Sequence, residues 1–417
     1  MAECIMVGCD LHDKSMLLKI AVDREAPVLR NCGTDASARV AMIADLKRRA
    51  QQRGAGRIIF AYEACGFGWN LHDELAAAGI ECHVLAPSKM ERSVKHRKRK
   101  TDERDAQAIL DHVRSHVLAG VEMPSVWVPD LQTRDDRELL RQRLAVAEDG
   151  SALQVRIRWL LKRQGIQTAP AQAWTEAYWR WLEQLTTSGE LAAGASATLA
   201  SLVRQLQSLD QEKERLDAQV LAMSRQERFA PVVAVLRRHK GVGILTAMVY
   251  LTEMGDLSRF ANRQQVGSFL GLTPSSYETG QDADHKGHIT HQGPTRVRKV
   301  LCQAVWSRLR SVESERLAYD RIVRRNPKHK KIAVVARMRV LGIVLWHEGL
   351  AAQEALRAGT GGREGPREFD GTPRRQSPPC AVPAATTTAR RDPIAAVPIE
   401  SPRWAKPDKK PNNTRRE

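Results

Sequence analysis

The sequence predicts a chain of mixed class: a layered α/β domain first, a helical, coiled-coil-like linker second, and a mainly helical unit third. Three observations predict it. Strand-like and helix-like runs alternate through the first 116 residues, the pattern of a sheet covered by helices. From about 131 to 225 the chain turns to long, charged, helical sequence. Ten of its 19 prolines then fall between Pro366 and Pro411 among few large apolar residues, a composition with no core to bury. These shifts divide the chain into 1–120, 131–225, 231–350 and a disordered Pro/Arg-rich tail, 357–417.

Taken in order, ECIMVGCD and MLLKIAV read as two strands joined by the polar turn LHDKS. A basic helix follows over 38–52. RIIFAYEA reads as a third strand, GFGWNLHDELAAAG as a helix and ECHVLAP as a fourth strand. The first domain closes with a helix from Thr101 to about His116. Thr101 suits an N-cap, and Asp102 and Glu103 suit the positive end of the helix dipole. In the linker, Leu199, Leu202, Leu206, Leu209, Leu216 and Val220 follow three-four spacing, broken at Lys213. That pattern fits either a coiled-coil seam or a helix packing on its own domain. Trp174, Trp179 and Trp181 fit helix-hairpin packing better than a base-stacking platform.

The 417 residues carry a formal charge of +18, which favours DNA or RNA as a partner. The seven cysteines are scattered, without CxxC pairs or histidines at zinc spacing. They read as small hydrophobes in a reducing compartment. Asp10, Asp13 and Lys14 interrupt the N-terminal apolar stretch, so a secretory leader is not expected. Arg337 and Arg339 interrupt IAVVARMRVLGIVLW, so this run is a poor membrane span. The expected location is cytoplasmic, with the nucleoid.

Four carboxylates carry the chemistry. Asp10 ends IMVGCD, Glu63 ends IIFAYE, and Asp102 and Asp105 stand three residues apart in KTDERDAQAIL, on one helical face. Converging, such like charges raise each other's pKa values unless cations neutralise them. Carboxylate oxygens suit Mg²⁺ or Mn²⁺, and two ions about 3.5–4 Å apart could serve phosphoryl transfer. The basic run KHRKRK, with Lys95, Arg97, Lys98, Arg99 and Lys100, directly precedes Asp102 and would draw nucleic acid across it. RRHKGVGILTA has two glycines, Gly241 and Gly243, beside Lys240. It is similar to a helix-hairpin-helix element, whose backbone N–H groups approach phosphate. Arg296, Arg298 and Lys299 would line a phosphate path.

With GCDLHDK, YEACGFGWNLHDEL, LAPSKM and KTDERDAQAIL around it, the quartet resembles that of the DEDD transposases of bacterial insertion sequences. The resemblance continues through RDDRELLRQRLAVAEDG, GVGILTAMVYLTEMGDLSRFANRQQVGSFLGLTPSSYETG and ITHQGPTRVRKVLCQAVW, covering about residues 4–350. It implies a RuvC-like, RNase H-type first domain holding Mg²⁺ through Asp10, Glu63, Asp102 and Asp105, and a serine-type C-terminal transposase domain. It also implies a DNA recombinase guided by an element-encoded structured RNA, working as a dimer or tetramer with a site shared between subunits. The chain departs from the family twice. Thr279 stands where the family carries the nucleophilic serine before a glycine, and Gly293-Pro294 stands where Gly-Asn is common. A threonine hydroxyl can attack phosphate, but its methyl stiffens χ1. Ser275, Ser276 or a loss of strand exchange remain open beside it. So do two other classes: a stand-alone metal-dependent junction nuclease, and an impaired nucleic-acid-binding relic.

Overall fold

Side chains alternate between faces along a strand. In β1 (Cys4–Leu11), Ile5, Val7 and Cys9 accordingly enter one core while Cys4 and Met6 enter another. The computed structural model describes residues 3–90, 101–166, 169–276, 286–325, 327–328 and 330–359. β2 (Ser15–Val22) and β3 (Val28–Gly33) extend the sheet antiparallel to β1. On its other side β4 (Arg57–Glu63) and β5 (Glu81–Leu85) run parallel. The order is β3-β2-β1-β4-β5. Helices α1 (Ala36–Arg53) and α2 (Trp69–Ala77) bury Met42, Leu46, Leu71 and Leu75 against Val7, Phe60 and Tyr62. On the opposite face α3 (Asp102–Ala119) buries Ile109, Leu110 and Val113 against Met6, Ile59, Ala61 and Leu85.

The sequence predicts four strands here, and the structure has a fifth. VLRNCG (β3) is an exposed edge whose Val28 and Leu29 face solvent, so it lacks the apolar alternation that marks a strand with one buried face. Thr101 occupies the N-cap position of α3 without a side-chain bond; its carbonyl instead accepts from the Arg104 and Asp105 amides.

Gly8 sets how closely α3 lies on the sheet. A Cβ there would stand 2.3 Å from the Leu110 nitrogen and 2.4 Å from the Ala106 carbonyl oxygen. Beside it in register, Lys19 of β2 reaches across and donates to Glu103 at 2.6 Å.

The linker is a helical hairpin. α4 (Leu131–Arg163) and α6 (Ala193–Ser224) run antiparallel, with α5 (Glu176–Leu185) between them in sequence. Leu153, Ile157 and Leu160 meet Leu199, Leu202 and Leu206, whereas Leu140 and Leu144 share a core with Val220 and Met223. The leucine seam is therefore filled from within the chain, and a bidentate Arg143–Asp217 pair at 2.7 and 2.9 Å fixes its register. Trp174, Trp179 and Trp181 pack on this core.

The last region contains α7 (Ala230–Leu236), α8 (Ile244–Met254), α9 (Arg263–Phe269), the short strands β6 (Pro274–Ser276) and β7 (Lys286–Ile289), α10 (Thr295–Ser311), α11 (Glu313–Arg325) and α12 (Lys330–Arg357). Its core centres on fully buried Tyr250, whose hydroxyl donates to the Gly342 carbonyl at 2.6 Å. α4 is bonded to both ends of the molecule: Arg134 donates to Asp73 of α2 at 2.6 Å, and Arg137 to the Thr252 and Glu253 carbonyls of α8 at 2.8 and 3.0 Å. Arg259 stacks against Trp127, Phe260 and Phe269, 4.1–4.6 Å from their ring centres. The described residues form one compact unit. The tail from residue 360 lies outside the described residues. No described helix is long and apolar enough to cross a membrane.

Replacing Gly8 with Ala pushes a methyl into the α3 backbone. The expected cost is about 3 kcal/mol, at the upper end for overpacked cores. Gly194, with nothing within 4 Å of its would-be Cβ, is the control, and Gly194→Ala should stay within about 0.5 kcal/mol of wild type. Urea unfolding of the two variants checks both values.

Candidate metal centre and nucleic-acid surfaces

Strand register and helix docking together assemble the acidic site. β1 and β4 are parallel, with Cys9 paired to Tyr62. Asp10 and Glu63 are the next residues along, on adjacent strands about 4.8 Å apart. Cys9 and Tyr62 face α1 and α2, so alternation turns Asp10 and Glu63 to the opposite face, where α3 lies. The N-terminus of α3 points to the same end of the sheet and brings Asp102 and Asp105 with it. Like charge from Asp105 and Asp102 reaches the Asp10 carboxyl.

His12 sits among them and was not among the sequence-predicted site residues. Its Nε2 lies 3.1 Å from Asp10 Oδ2 and 3.6 Å from Asp102 Oδ1. Asp10, His12 and Asp102 each offer one ligand atom within 4.8 Å of the others. The available signal was its place in the polar turn LHDKS, two residues beyond Asp10. Burial pushes the Asp10 carboxyl above its ordinary range; His12 pulls it down, and Asp105 and Asp102 push it up again.

The donor set fits a hard divalent cation. Carboxylate oxygens from two elements face one space, a nitrogen donor stands between two of them, and the remaining electrostatic cost falls on Asp10, which a positive charge would relieve. Asp10, His12 and Asp102 are the residues whose ligand atoms could hold it together, and Glu63 and Asp105 stand at the same end of the sheet.

The basic residues divide three ways. Lys95, Arg97, Lys98, Arg99 and Lys100 lie outside the described residues, as do Thr279 and Gly280 in the segment between β6 and β7. Exposed Lys240, with Gly241 and Gly243, occupies the turn from α7 to α8. Gly241 adopts φ +86, and a Cβ there would stand 2.6 Å from the Ala304 carbonyl of α10, so that turn sits directly on α10. Exposed Arg296 and Lys299 are at the start of the same helix, beside Glu253 at 4.0 Å and in a close pair with Glu148 respectively. Arg298 differs: it is 9% exposed and donates to the Leu270 and Gly293 carbonyls at 3.1 and 3.0 Å. Its guanidinium is spent inside the protein. Ser275 Oγ donates to the His288 carbonyl at 3.0 Å.

Comparison with known proteins places this arrangement. A family of DEDD transposases of the IS110 type matches residues 7–165, which contain the whole quartet, and the transposase IS116/IS110/IS902 family matches residues 233–320. The chain belongs to the IS110-type DEDD transposase family. A Sinorhizobium fredii protein named as a transposase is 30% identical over 294 residues, 66% of this chain and 72% of that one. The transposase for insertion sequence element IS1533 of Leptospira borgpetersenii is 27% identical, covering 59% and 69%. A second Sinorhizobium fredii protein so named is 28% identical, and the match spans 60% of this chain but 58% of that protein's length.

Because burial holds the Asp10 carboxyl above its unfolded value, its ionisation opposes folding. The folded state binds the proton more tightly, so this penalty is absent below the unfolded pKa and grows as pH rises through the interval up to the folded one. Without divalent cations, Asp10→Asn should therefore raise Tm at pH 7, and the gain should fade toward pH 4. Thermal melts of the two proteins across that range check the sign.

Proposed function

We propose that this chain is the DNA transposase of an insertion sequence, cutting and rejoining DNA through a metal-binding acidic centre and a hydroxyl nucleophile. The observation that carries the reading is the approach of Asp10, His12 and Asp102, each with a ligand atom within 4.8 Å of the others, in a chain of this family. The sheet order β3-β2-β1-β4-β5, antiparallel on one side of β1 and parallel on the other, supports a RuvC-like, RNase H-type first domain. Mg²⁺ or Mn²⁺ held by the quartet supplies stabilisation of the charge that develops on a transferring phosphate.

The chain's own residues do the rest. His12 holds Asp10 and Asp102 in position. The run Lys95–Lys100 draws DNA toward the centre, and the α7–α8 turn at Lys240, Gly241 and Gly243 clamps the backbone as a hairpin element does. Arg296 and Lys299 neutralise phosphate at the start of α10, about 8–12 Å by helix rise from Ala304, on which that turn sits. Arg298 fixes the loop that begins this helix. The Thr279 hydroxyl attacks a phosphodiester: a phosphothreonine ester forms, the bond from phosphorus to the neighbouring sugar oxygen breaks, and that oxygen leaves as a hydroxyl after taking up a proton. Rejoining reverses the exchange with a new strand end. An element-encoded RNA that pairs with donor and target DNA, and a dimer or tetramer that shares the site between subunits, complete the proposal. The net charge of +18 suits such polyanionic partners.

A covalent-trapping assay tests it. Labelled element-end DNA, RNA from the element's flanks and Mg²⁺ are incubated with wild type, Thr279→Ala and Asp10→Ala, then denatured and resolved on a gel. A labelled protein band in wild type, reduced at least about 100-fold in both variants, is expected. Nicking without an adduct, dependent on Asp10 alone, would replace this reading with a stand-alone nuclease. Binding with neither would leave a nucleic-acid-binding relic.

A further inference from the structure

The far end of α3 holds a second group of metal-ligating side chains. Glu81 and His83 are two residues apart on β5 and share the face on which α3 packs; His116 lies in the last turn of α3. One ligand atom from each lies within 4.8 Å of the others, and all three residues are half-buried. Their remaining polar atoms are already engaged outward. His116 Nδ1 is 2.8 Å from the Val121 carbonyl oxygen. A carbonyl only accepts, so the neutral ring carries its proton on Nδ1 and keeps a lone pair on Nε2. His83 Nδ1 is 3.0 Å from Ser125 Oγ, while its Nε2 is 2.9 Å from Glu81 Oε1. Arg57 takes the other oxygen of Glu81 at 2.7 Å. Burial pushes the Glu81 carboxyl up, but hydrogen bonds from His83 and Arg57 outweigh it and leave the group below its ordinary range.

An ion pair needs only Glu81 and one cation, and Arg57 supplies that. The two imidazoles beside it, with ring centres 5.7 Å apart, are surplus to such a pair. A histidine tied at Nδ1 to a backbone carbonyl or hydroxyl, with Nε2 turned inward, is the arrangement in which imidazole ligands are oriented for metal.

We propose that Glu81, His83 and His116 form a transition-metal site, taking Zn²⁺ or a similar borderline divalent cation, separate from the acidic centre. Two imidazole nitrogens and one carboxylate suit zinc rather than magnesium, and three protein ligands leave a fourth position for water. Binding moves the His83 proton from Nε2 to Nδ1, where Ser125 Oγ accepts it. The ion joins β5 and the Val121–Ser125 segment to the C-terminal turn of α3. That point is about 21 Å along the helix from Asp102, at 1.5 Å per residue. It would clamp the helix that carries Asp102 and Asp105 from the end opposite to them.

The test uses the untagged full chain in the Asp10→Asn, Asp102→Asn background, which removes the acidic centre as a competing site. Zn²⁺ is titrated calorimetrically, and Co²⁺ is followed by its visible absorption. One Zn²⁺ per chain is expected, with a Co²⁺ band that Zn²⁺ displaces and millimolar Mg²⁺ does not. His83→Gln and His116→Gln should each weaken Zn²⁺ binding about 100-fold. Ser125→Ala, which leaves every ligand in place, should weaken it about tenfold. Far-UV circular dichroism confirms folding, and Ser125→Ala decides the matter if a histidine variant fails to fold. Absence of Zn²⁺ binding in that background, or binding unchanged in the folded variants, overturns the proposal. The readout is metal binding, so it stands or falls independently of DNA cleavage.

Discussion

The backbone of α3 rests on β1 at Gly8, and the site depends on that contact. Half of the acidic quartet belongs to the sheet and half to the helix. The two halves meet only because no side chain holds α3 away from the strand. Leu110 and Ile109 supply the apolar contact that keeps the helix there, and Lys19 supplies a charged tether to Glu103 beside its first turn. Burial of these side chains is a non-directional force. The missing Cβ converts it into a defined height of helix over sheet.

The same docking creates an electrostatic cost. Asp10 leaves bulk water as α3 covers it, and Asp102 and Asp105 arrive with like charge. The positive end of the α3 dipole offsets part of this, as does His12. A bound cation would relieve the imbalance that remains. Elsewhere the chain spends its many arginines on its own carboxylates and carbonyls: Glu315 is buried between Arg308 and Arg337, and Asp136 is gripped by Arg228. Only part of the chain's 66 lysines and arginines is thus free to meet phosphate.

Much of this was legible in the sequence, for physical reasons that can be named. Asp10 and Glu63 stand out because each ends an apolar run, and Asp102 and Asp105 because their spacing gives one helical face. The leucine seam was legible as a seam but not as to its partner; only the antiparallel pairing of α4 and α6 shows that the chain fills it itself. β3 was missed because an exposed edge strand carries no buried face. His12 was missed because it lies in a turn whose geometry depends on β2. Arg298 was expected to point toward phosphate. It instead adjoins the buried stripe Val297, Val300, Leu301 and Ala304, a periodicity that was readable and that places position 298 at the edge of the core. Thr279 and the basic run 95–100 lie outside the described residues; the role of Thr279 rests on resemblance, and that of the run on its charge directly before Asp102.

The central claim is that the end of the sheet where Asp10, Glu63, Asp102 and Asp105 meet is a cation site. The most direct measurement is a crystal structure of the protein grown with Mn²⁺, with diffraction recorded at the manganese absorption edge. The account predicts an anomalous peak bonded to Asp10 and to at least one of Asp102 and Asp105, with carboxylate oxygens at about 2.0–2.3 Å. Manganese bound elsewhere in the crystal, with these four side chains splayed apart or paired with protein cations and no peak between them, would contradict it.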